Sequence, residues 1–200
     1  ASVVNALSEW LEVTVYQNGS IYRQEYTRGV PQYDLKIIGQ TDRHGTTVRF
    51  RPDAAIFDDV TAYSFDTLKK RLRELAFLNA GIRIELTDKR GEGQDQVFHY
   101  EGGIRSFIEY LNKNREVLSP EPLFFSGVKD GTAVEVSMQY NDSYTENVFS
   151  FANNIDTVEG GTHLEGFRRA LTRVINDYGR KAKILKDSDA NLTGDDVREG

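Results

Sequence analysis

The chain has 200 residues, of which 38% are hydrophobic and 28% are charged, so it can bury one or two ordinary cores. Its formal net charge of −6 argues against a simple nucleic-acid coat protein, because neutralising phosphates requires surplus Lys and Arg, although a local basic face remains compatible with it. The absence of cysteine excludes a disulfide framework, and no run approaches the ~18 apolar residues that span a bilayer. We therefore expect a cytoplasmic protein without a membrane partner.

Both ends of the sequence predict elements that continue beyond it. The first residues, "ASVVNALSEW", lack an initial Met and have a helix-like pattern. At the other end, Thr193 followed by acidic residues is typical of a helix start, because a hydroxyl and early negative charge compensate unpaired N–H groups. We expect an internal piece of a longer protein.

The first predicted strands form a hairpin. Apolar and polar residues alternate over residues 11–16, with the two-residue period of a half-buried strand. The Asn-Gly pair that follows supplies the positive φ angles of a tight turn, and "SIYRQEY" returns as the partner strand. A two-residue turn places Val15 opposite Tyr22 and Leu11 opposite Tyr26.

Further strands and a helix complete the first half of the chain. The segments "YDLKIIG" and "GTTVRF" predict two strands, the second with Thr46, Val48 and Phe50 on one face. A helical period then runs through "SFDTLKKRLRELAFLNAG", and alternation returns in "IRIEL" and "QVFHY". This half has the pattern of a sheet backed by helices, which is an α+β arrangement.

The pattern starts afresh near Gly102, which predicts a domain junction there. A short helix over residues 104–111 is followed by three predicted strands, "LFFSGV", "AVEVSMQY" and "TENVFSF". A long amphipathic helix is predicted from Thr162, with an apolar side formed by Leu164, Phe167, Leu171, Val174, Ile175 and Tyr178.

The stretch "EGGTH" before that helix admits three interpretations. Thr162 and Glu165 have the spacing of a capping box, in which each side chain satisfies the other residue's backbone N–H. A phosphate cradle would need a longer glycine-rich nest and a lysine. A zinc site is disfavoured because the three histidines, His44, His99 and His163, are far apart in sequence. The helix start accounts for every residue except His163.

The polar side of the same helix carries Arg168, Arg169 and Arg173. A solvated or salt-bridged face is one explanation, and a functional basic surface is the other. The residues alone indicate no complete active site, no catalytic residue and no metal ligand.

Six strings, in order, resemble a known family: "SVVNALS", "GTTVRF", "RLRELAFLNAGI", "HYEGGI", "EGGTH" and "TGDDVREG". The chain resembles, over essentially its whole length, the ATPase half of the B subunit of bacterial DNA gyrase. The ParE-type subunit of topoisomerase IV shares most of these strings, and "ELAFLNAGI" is closer to gyrase.

The resemblance implies an architecture and an activity. Residues 1–101 would be the C-terminal portion of a GHKL-type ATP-binding domain, and residues 102–200 the start of a transducer domain with a left-handed βαβ crossover. The family binds ATP and Mg²⁺, dimerises when it binds ATP, assembles with the gyrase A-type subunit as A2B2, and couples hydrolysis to DNA strand passage and supercoiling. The alternatives are the B subunit of topoisomerase IV, which decatenates DNA, and a structural transducer and DNA-cavity module without its own nucleotide site.

The resemblance also implies site residues. Thr46 and Val48 match the strand that contacts the adenine side of the ATP pocket, and Ala1 and Ser2 follow the family's glycine-rich lid. Arg168 matches an arginine that faces the DNA-holding cavity. Many gyrases have an arginine near the first hairpin where this chain has Gln17, which puts some inhibitor contacts in doubt.

The family's catalytic residues do not map onto this chain. By the resemblance, the general-base Glu, the Mg²⁺-binding Asn, the adenine-binding Asp and the lid glycines lie before Ala1. The lysine that reaches the γ-phosphate lies after Gly200. We therefore expect these 200 residues alone not to hydrolyse ATP.

Overall fold

The computed structural model describes residues 2–57 and 62–200, which form two compact units divided between Ser64 and Phe65. The first unit contains α1 (Ser2–Ala6), β1 (Ser8–Gln17), β2 (Ser20–Thr27), β3 (Val30–Pro31), β4 (Lys36–Gln40) and β5 (Gly45–Pro52). The strands make one antiparallel sheet in the order β3-β2-β1-β5, with β4 also paired to β2.

The β1–β2 hairpin has the predicted register. Leu11 lies opposite Tyr26 and Val15 opposite Tyr22. Asn18 and Gly19 form the turn with φ angles of 53° and 77°, the positive values that a tight two-residue hairpin turn requires at both central positions. The turn predicted from the Asn-Gly pair is confirmed.

An ion pair connects the turn after β2 to the end of β5. Arg28 Nε donates to Asp53 Oδ2 at 2.6 Å, and the backbone N–H of Ala55 donates to Asp53 Oδ1 at 3.0 Å. The hydrogen bond from Arg28 lowers the pKa of the Asp53 carboxyl below its ordinary value. A buried carboxylate is tolerated here because its oxygens have partners.

The second unit is built from helices and three two-stranded antiparallel sheets. Its elements are α2 (Phe65–Leu78), β6 (Arg83–Asp88), β7 (Gln94–His99), α3 (Ile104–Asn112), β8 (Leu123–Lys129), β9 (Thr132–Met138), β10 (Phe151–Ala152), β11 (Ile155–Asp156), α4 (Thr162–Lys181) and α5 (Gly194–Arg198). The predicted junction near Gly102 lies inside this unit and stays a prediction for the intact protein.

Aromatic side chains form the centre of the second unit. Phe77 of α2 is 1% exposed, and its ring stacks on Tyr100 at a centroid distance of 3.7 Å and on Phe107 of α3 at 5.2 Å. Phe98 of β7 is also 1% exposed. These rings join α2, α3 and the β6–β7 hairpin around one core.

Three sequence predictions are wrong in this unit, and the first of them is a strand. Residues 145–150 are not a strand, and only Phe151 and Ala152 pair with β11. Glu146 points instead to two arginines. The β propensity of residues 145–150 is therefore not sufficient to make them a strand, since the described part of the chain provides no aligned neighbouring strand for them.

The second wrong prediction concerns the buried side of α4. Val174 and Tyr178 are 58% and 65% exposed, whereas Asn176 and Gly179 are buried. The loop after the helix folds back over the side that carries Asn176 and Gly179, and the N–H of Leu185 donates to the carbonyl of Gly179 at 3.0 Å. The absent side chain of Gly179 makes that approach possible, because a Cβ there would lie 3.0 Å from Leu185.

Candidate nucleotide and DNA sites

Strand β5 presents Thr46, Val48 and Phe50 on one face of the first sheet. Their cross-strand partners on β1 are Val15, Val13 and Leu11, respectively. Leu11 is only 4% exposed, but Val48 is 51% and Phe50 44% exposed. We call this set the apolar sheet face. Its β1 side is buried or half-buried, whereas its β5 border leaves Val48 and Phe50 accessible on the face that carries the Thr46 side chain.

Two other residues expected near the nucleotide pocket, Ser2 and Gln17, are among the described residues. Ala1 is outside the described residues, and Ser2 is the exposed first residue of α1. The helix is joined to the sheet through Ser8, whose Oγ donates to the carbonyl of Val4 at 2.5 Å. Gln17 is the exposed last residue of β1, opposite Ser20.

Arg168 of α4 lies between two carboxylates. Its guanidinium contacts Glu146 at 2.8 Å and Glu165, three residues earlier on the same helix, at 3.4 Å. The hydrogen bond to Glu146 raises the pKa of Arg168 above its ordinary value. The side chain keeps 32% of its surface exposed, so an external anion can still reach it.

Glu146 also binds a second arginine, which sequence reasoning did not find. Arg198 Nε donates to Glu146 Oε2 at 2.9 Å, which connects the segment before β10 to the C-terminal helix α5. Asp195 contacts the same guanidinium at 3.1 Å. Residues 145–151 have the sequence pattern of a strand, in which Glu146 is an ordinary polar position, so the sequence gives no signal for this ion pair.

The start of α4 differs from the predicted capping box. The helix is capped by Gly161, whose carbonyl accepts from the Glu165 N–H at 3.1 Å, and no side chain caps it. Gly160 has a φ of 80°, and a Cβ on Gly161 would lie 2.8 Å from the His163 ring. The two glycines allow the chain to turn, and His163 folds back over the turn toward Thr157, 3.4 Å from its hydroxyl. The capping box is found instead at the start of α5, between Thr193 and Asp196.

An open cavity of about 760 Å³ adjoins the start of α4. It is lined by Val158, Gly161, Glu165, Arg168 and Arg169 among others. Glu159 also lines it, so both carboxylates and guanidinium groups contribute to its wall. This mixture of charges does not favour one type of anion.

Residues 2–57 and 62–200 contain neither a clustered set of metal ligands nor a membrane-spanning helix. No group of three or more His, Asp or Glu side chains is arranged there to hold a metal ion. Within the same residues, no helix has the length and apolar character needed to cross a bilayer.

Comparison with known proteins decides the family. The chain is 59% identical to the DNA gyrase B subunit of Bacillus mycoides over 200 residues, which are all of this chain and 50% of that protein. A family model described as DNA gyrase B matches residues 103–200. The chain belongs to the DNA gyrase B family. The DNA gyrase B subunit of Halalkalibacterium halodurans is 58% identical over the whole chain, which covers 31% of that protein. The chain thus spans at most about half of these curated relatives.

Solved structures support the same assignment to the gyrase B family. The 43K ATPase domain of Thermus thermophilus gyrase B, solved in complex with an aminocoumarin, has a TM-score of 0.84 and 37% identity, over all of this chain and 55% of that one. The B subunit of the DNA gyrase from Myxococcus xanthus has a TM-score of 0.79 and 29% identity, over 88% of this chain and 52% of that one. The predicted α+β fold related to gyrase B ATPase domains is confirmed.

Proposed function

We propose that this chain is a segment of the ATPase subunit of a type IIA DNA topoisomerase of the gyrase type. The intact protein would couple ATP binding and hydrolysis, with Mg²⁺, to DNA strand passage and supercoiling. The identity of 58–60% with B subunits of DNA gyrase, along all 200 residues, carries this proposal. Partners would be DNA, a gyrase A-type subunit and a second copy of the same protein.

The apolar sheet face would form one wall of the nucleotide pocket. Val48 offers an accessible apolar surface against which an adenine ring can lie, and the Thr46 hydroxyl beside it can exchange a hydrogen bond with the base, directly or through water. The open border of this face supports the proposal, because a side chain used only for core packing would be covered.

The pocket is tested by Thr46→Ala in the intact protein. We expect weaker binding of a non-hydrolysable ATP analogue, by about 5- to 15-fold for one lost hydrogen bond. Thr47→Ala is the matched control, since Thr47 is the next residue of the same strand and points to the opposite face. Equal affinity of the Thr46 variant and the unchanged protein would refute the assignment.

The chemical groups for hydrolysis would come from parts of the protein outside these 200 residues. A general base, a Mg²⁺ ligand and a cationic clamp on the γ-phosphate are needed to handle the attacking water and the developing charge. Nucleotide titration of the 200-residue chain therefore has a defined expectation: weak or no ATP binding and no turnover. Tight ATP binding by this chain would contradict it.

Arg168 would contact DNA held by the second unit. Its carboxylate partners do not prevent this, because the guanidinium has five donors and is partly exposed, so phosphate can replace or join a carboxylate. In the intact protein, Arg168→Gln should reduce DNA stimulation of the ATPase and spare the basal rate. Lys181→Gln, at the exposed end of the same helix, serves as control. A parallel loss of both rates would exclude this role.

A further inference from the structure

The first sheet has a second face, which the nucleotide proposal does not use. Along β1 it carries Trp10, Glu12, Thr14 and Tyr16, which alternate with the apolar residues. The polar and charged cross-strand neighbours are Arg51, Arg49 and Thr47 on β5, Glu25 and Arg23 on β2, and Lys36 on β4, and Ile21 of β2 lies opposite Tyr16. We call this set, with Tyr33 and Arg43 from the adjoining loops, the polar sheet face.

Three cations of the polar sheet face lie over aromatic rings. Lys36 Nζ is 4.1 Å from the ring centre of Tyr33. The guanidinium of Arg43 is 5.0 Å from the Tyr16 ring, and that of Arg49 is 5.8 Å from the Trp10 ring. Each ring favours the cation above it and holds it close to the sheet. The cations are therefore ordered on the surface before any partner arrives.

The carboxylates on this face do not balance its positive charge. Glu12 is 8% exposed and contacts Arg23 at 3.5 Å and Arg49 at 3.7 Å, so one buried carboxylate is shared by two guanidinium groups. The Arg49 side chain remains 68% exposed. The sheet positions and the Arg43 loop, which also carries Asp42, together present five cations and three carboxylates, in a chain whose net charge is −6.

A purely structural ion cluster explains only part of this arrangement. Arg23 and Arg49 neutralise Glu12 and allow its burial. Lys36, Arg43 and Arg51 form no ion pair with a carboxylate among the described residues, although all three are exposed. Their charge is left for a partner outside the chain.

We propose that the polar sheet face binds the phosphate backbone of duplex DNA. A base stacked on an aromatic ring is disfavoured, because the rings of Trp10, Tyr16 and Tyr33 are already occupied by cations, whereas the cations themselves are exposed and accessible to phosphate. Lys36 and Arg49 are three strand spacings apart, about 14 Å, which is wide enough to reach the phosphates on both sides of a minor groove about 6 Å wide. The choice of DNA among polyanions rests on the proposed function.

The salt dependence of binding tests this surface. The 200-residue chain is titrated against a fluorescein-labelled 30-base-pair duplex of mixed sequence, without nucleotide, over a range of salt concentrations. The triple variant Lys36→Gln, Arg43→Gln, Arg51→Gln should bind at least about 10-fold more weakly, and the slope of log affinity against log salt should fall by about 2 to 3, as each lost phosphate contact removes about 0.9.

A matched control variant distinguishes the loss of this binding surface from a general loss of positive charge. Lys113, Lys129 and Lys183 are exposed cations of the second unit, and their triple substitution by Gln changes the charge equally. Equal weakening by both triple variants would overturn the proposal, as would failure of the unchanged chain to bind the duplex. Tighter binding of a single strand than of the duplex would also overturn it. Arg168→Gln should keep most of the affinity, which separates this site from the DNA contact proposed at Arg168.

A measurement on the unsubstituted chain avoids any loss of folding. Trp10 is the only tryptophan and lies on this face under Arg49. Duplex DNA should change its fluorescence and protect it from iodide quenching, with the same midpoint as the anisotropy curve. Binding by anisotropy with unchanged Trp10 emission and quenching would place the DNA elsewhere and refute the proposal. Because no nucleotide is present, this result is independent of the Thr46→Ala experiment.

Discussion

Glu146 and Arg198 form an ion pair with a 2.9 Å separation although they lie 52 residues apart in sequence. Arg198 belongs to the five-residue helix α5, which is too short to be stable alone. Glu146 also holds Arg168 of the long helix α4. One carboxylate thus joins both C-terminal helices to the segment before β10.

Glu146→Gln should destabilise the second unit by about 1–2 kcal/mol, since two charge-assisted hydrogen bonds are weakened and the group is only partly exposed. Urea unfolding monitored by far-UV circular dichroism measures the change. Glu159→Gln, an exposed residue near the start of α4, is the control and should be neutral within about 0.5 kcal/mol. Indistinguishable unfolding midpoints for the two variants would contradict the proposed importance of Glu146.

The same carboxylate predicts a pH dependence. Burial raises the pKa of Glu146, but hydrogen bonds from Arg198 and Arg168 outweigh this effect, so the folded-state pKa lies below the ordinary value of 4.5. Between these two pKa values the unfolded chain binds more protons, so stability from Glu146 is present above pH 4.5 and is lost as pH falls through the folded-state pKa.

Unfolding of the unchanged chain and of the Glu146→Gln variant between about pH 3 and pH 7 tests this dependence. The stability difference between the two should be constant near neutral pH and should shrink below pH 4.5, because Gln does not titrate. A difference that grows on acidification would show that the sign is wrong.

Phe77 lies at the centre of the aromatic core of the second unit. Its ring contacts both Tyr100 and Phe107, and the residue is 1% exposed. Phe77→Ala should cost about 3–5 kcal/mol through lost burial and the cavity left behind. Phe125→Ala is the matched control, since that ring is 56% exposed, and it should cost less than about 1 kcal/mol. Thermal unfolding of the second unit measures both. Similar costs for the two substitutions would exclude Phe77 as the centre of the core.

Local patterns predicted the parts of this fold that local chemistry determines. The Asn-Gly turn fixed the hairpin register, and alternation placed Thr46 and Val48 on one face of β5. Both features depend on residues close in sequence. The capping box failed at Thr162 because two glycines beforehand let the backbone turn and place Gly161 at the cap. Equivalent local chemistry succeeded at Thr193, where no glycine precedes the helix.

Contacts between residues far apart in the sequence could not be predicted from local patterns. The Glu146–Arg198 pair gives no signal at any helical or strand spacing. The polar sheet face was also missed, because its cations come from four segments that only the strand order brings together. The charge of −6 for the whole chain gives no indication of such a local basic surface.

Asn176 of α4 makes another contact that the helical pattern does not predict. It lies within the predicted polar side of α4, yet it is 8% exposed. Its Nδ2 donates to the carbonyl of Leu192 at 3.0 Å and its Oδ1 accepts from the Leu192 N–H at 2.8 Å. The side-chain amide of Asn176 therefore pairs with both the backbone carbonyl and the backbone N–H of Leu192, and it holds the loop before α5 in place.

Asn176→Ala should destabilise the second unit by about 2–3 kcal/mol, because the Leu192 backbone loses both hydrogen bonds close to the helix. Asn176→Asp at neutral pH retains the acceptor and loses the donor, so it should also destabilise, although it preserves the side chain's size. Asp177→Ala, the exposed next residue, is the control. Amide hydrogen exchange of residues 186–193 gives the local result: both Asn176 variants should increase exchange there and leave β8 and β9 unchanged. Protection of this loop in Asn176→Ala equal to that in the unchanged chain would mean that other contacts hold it.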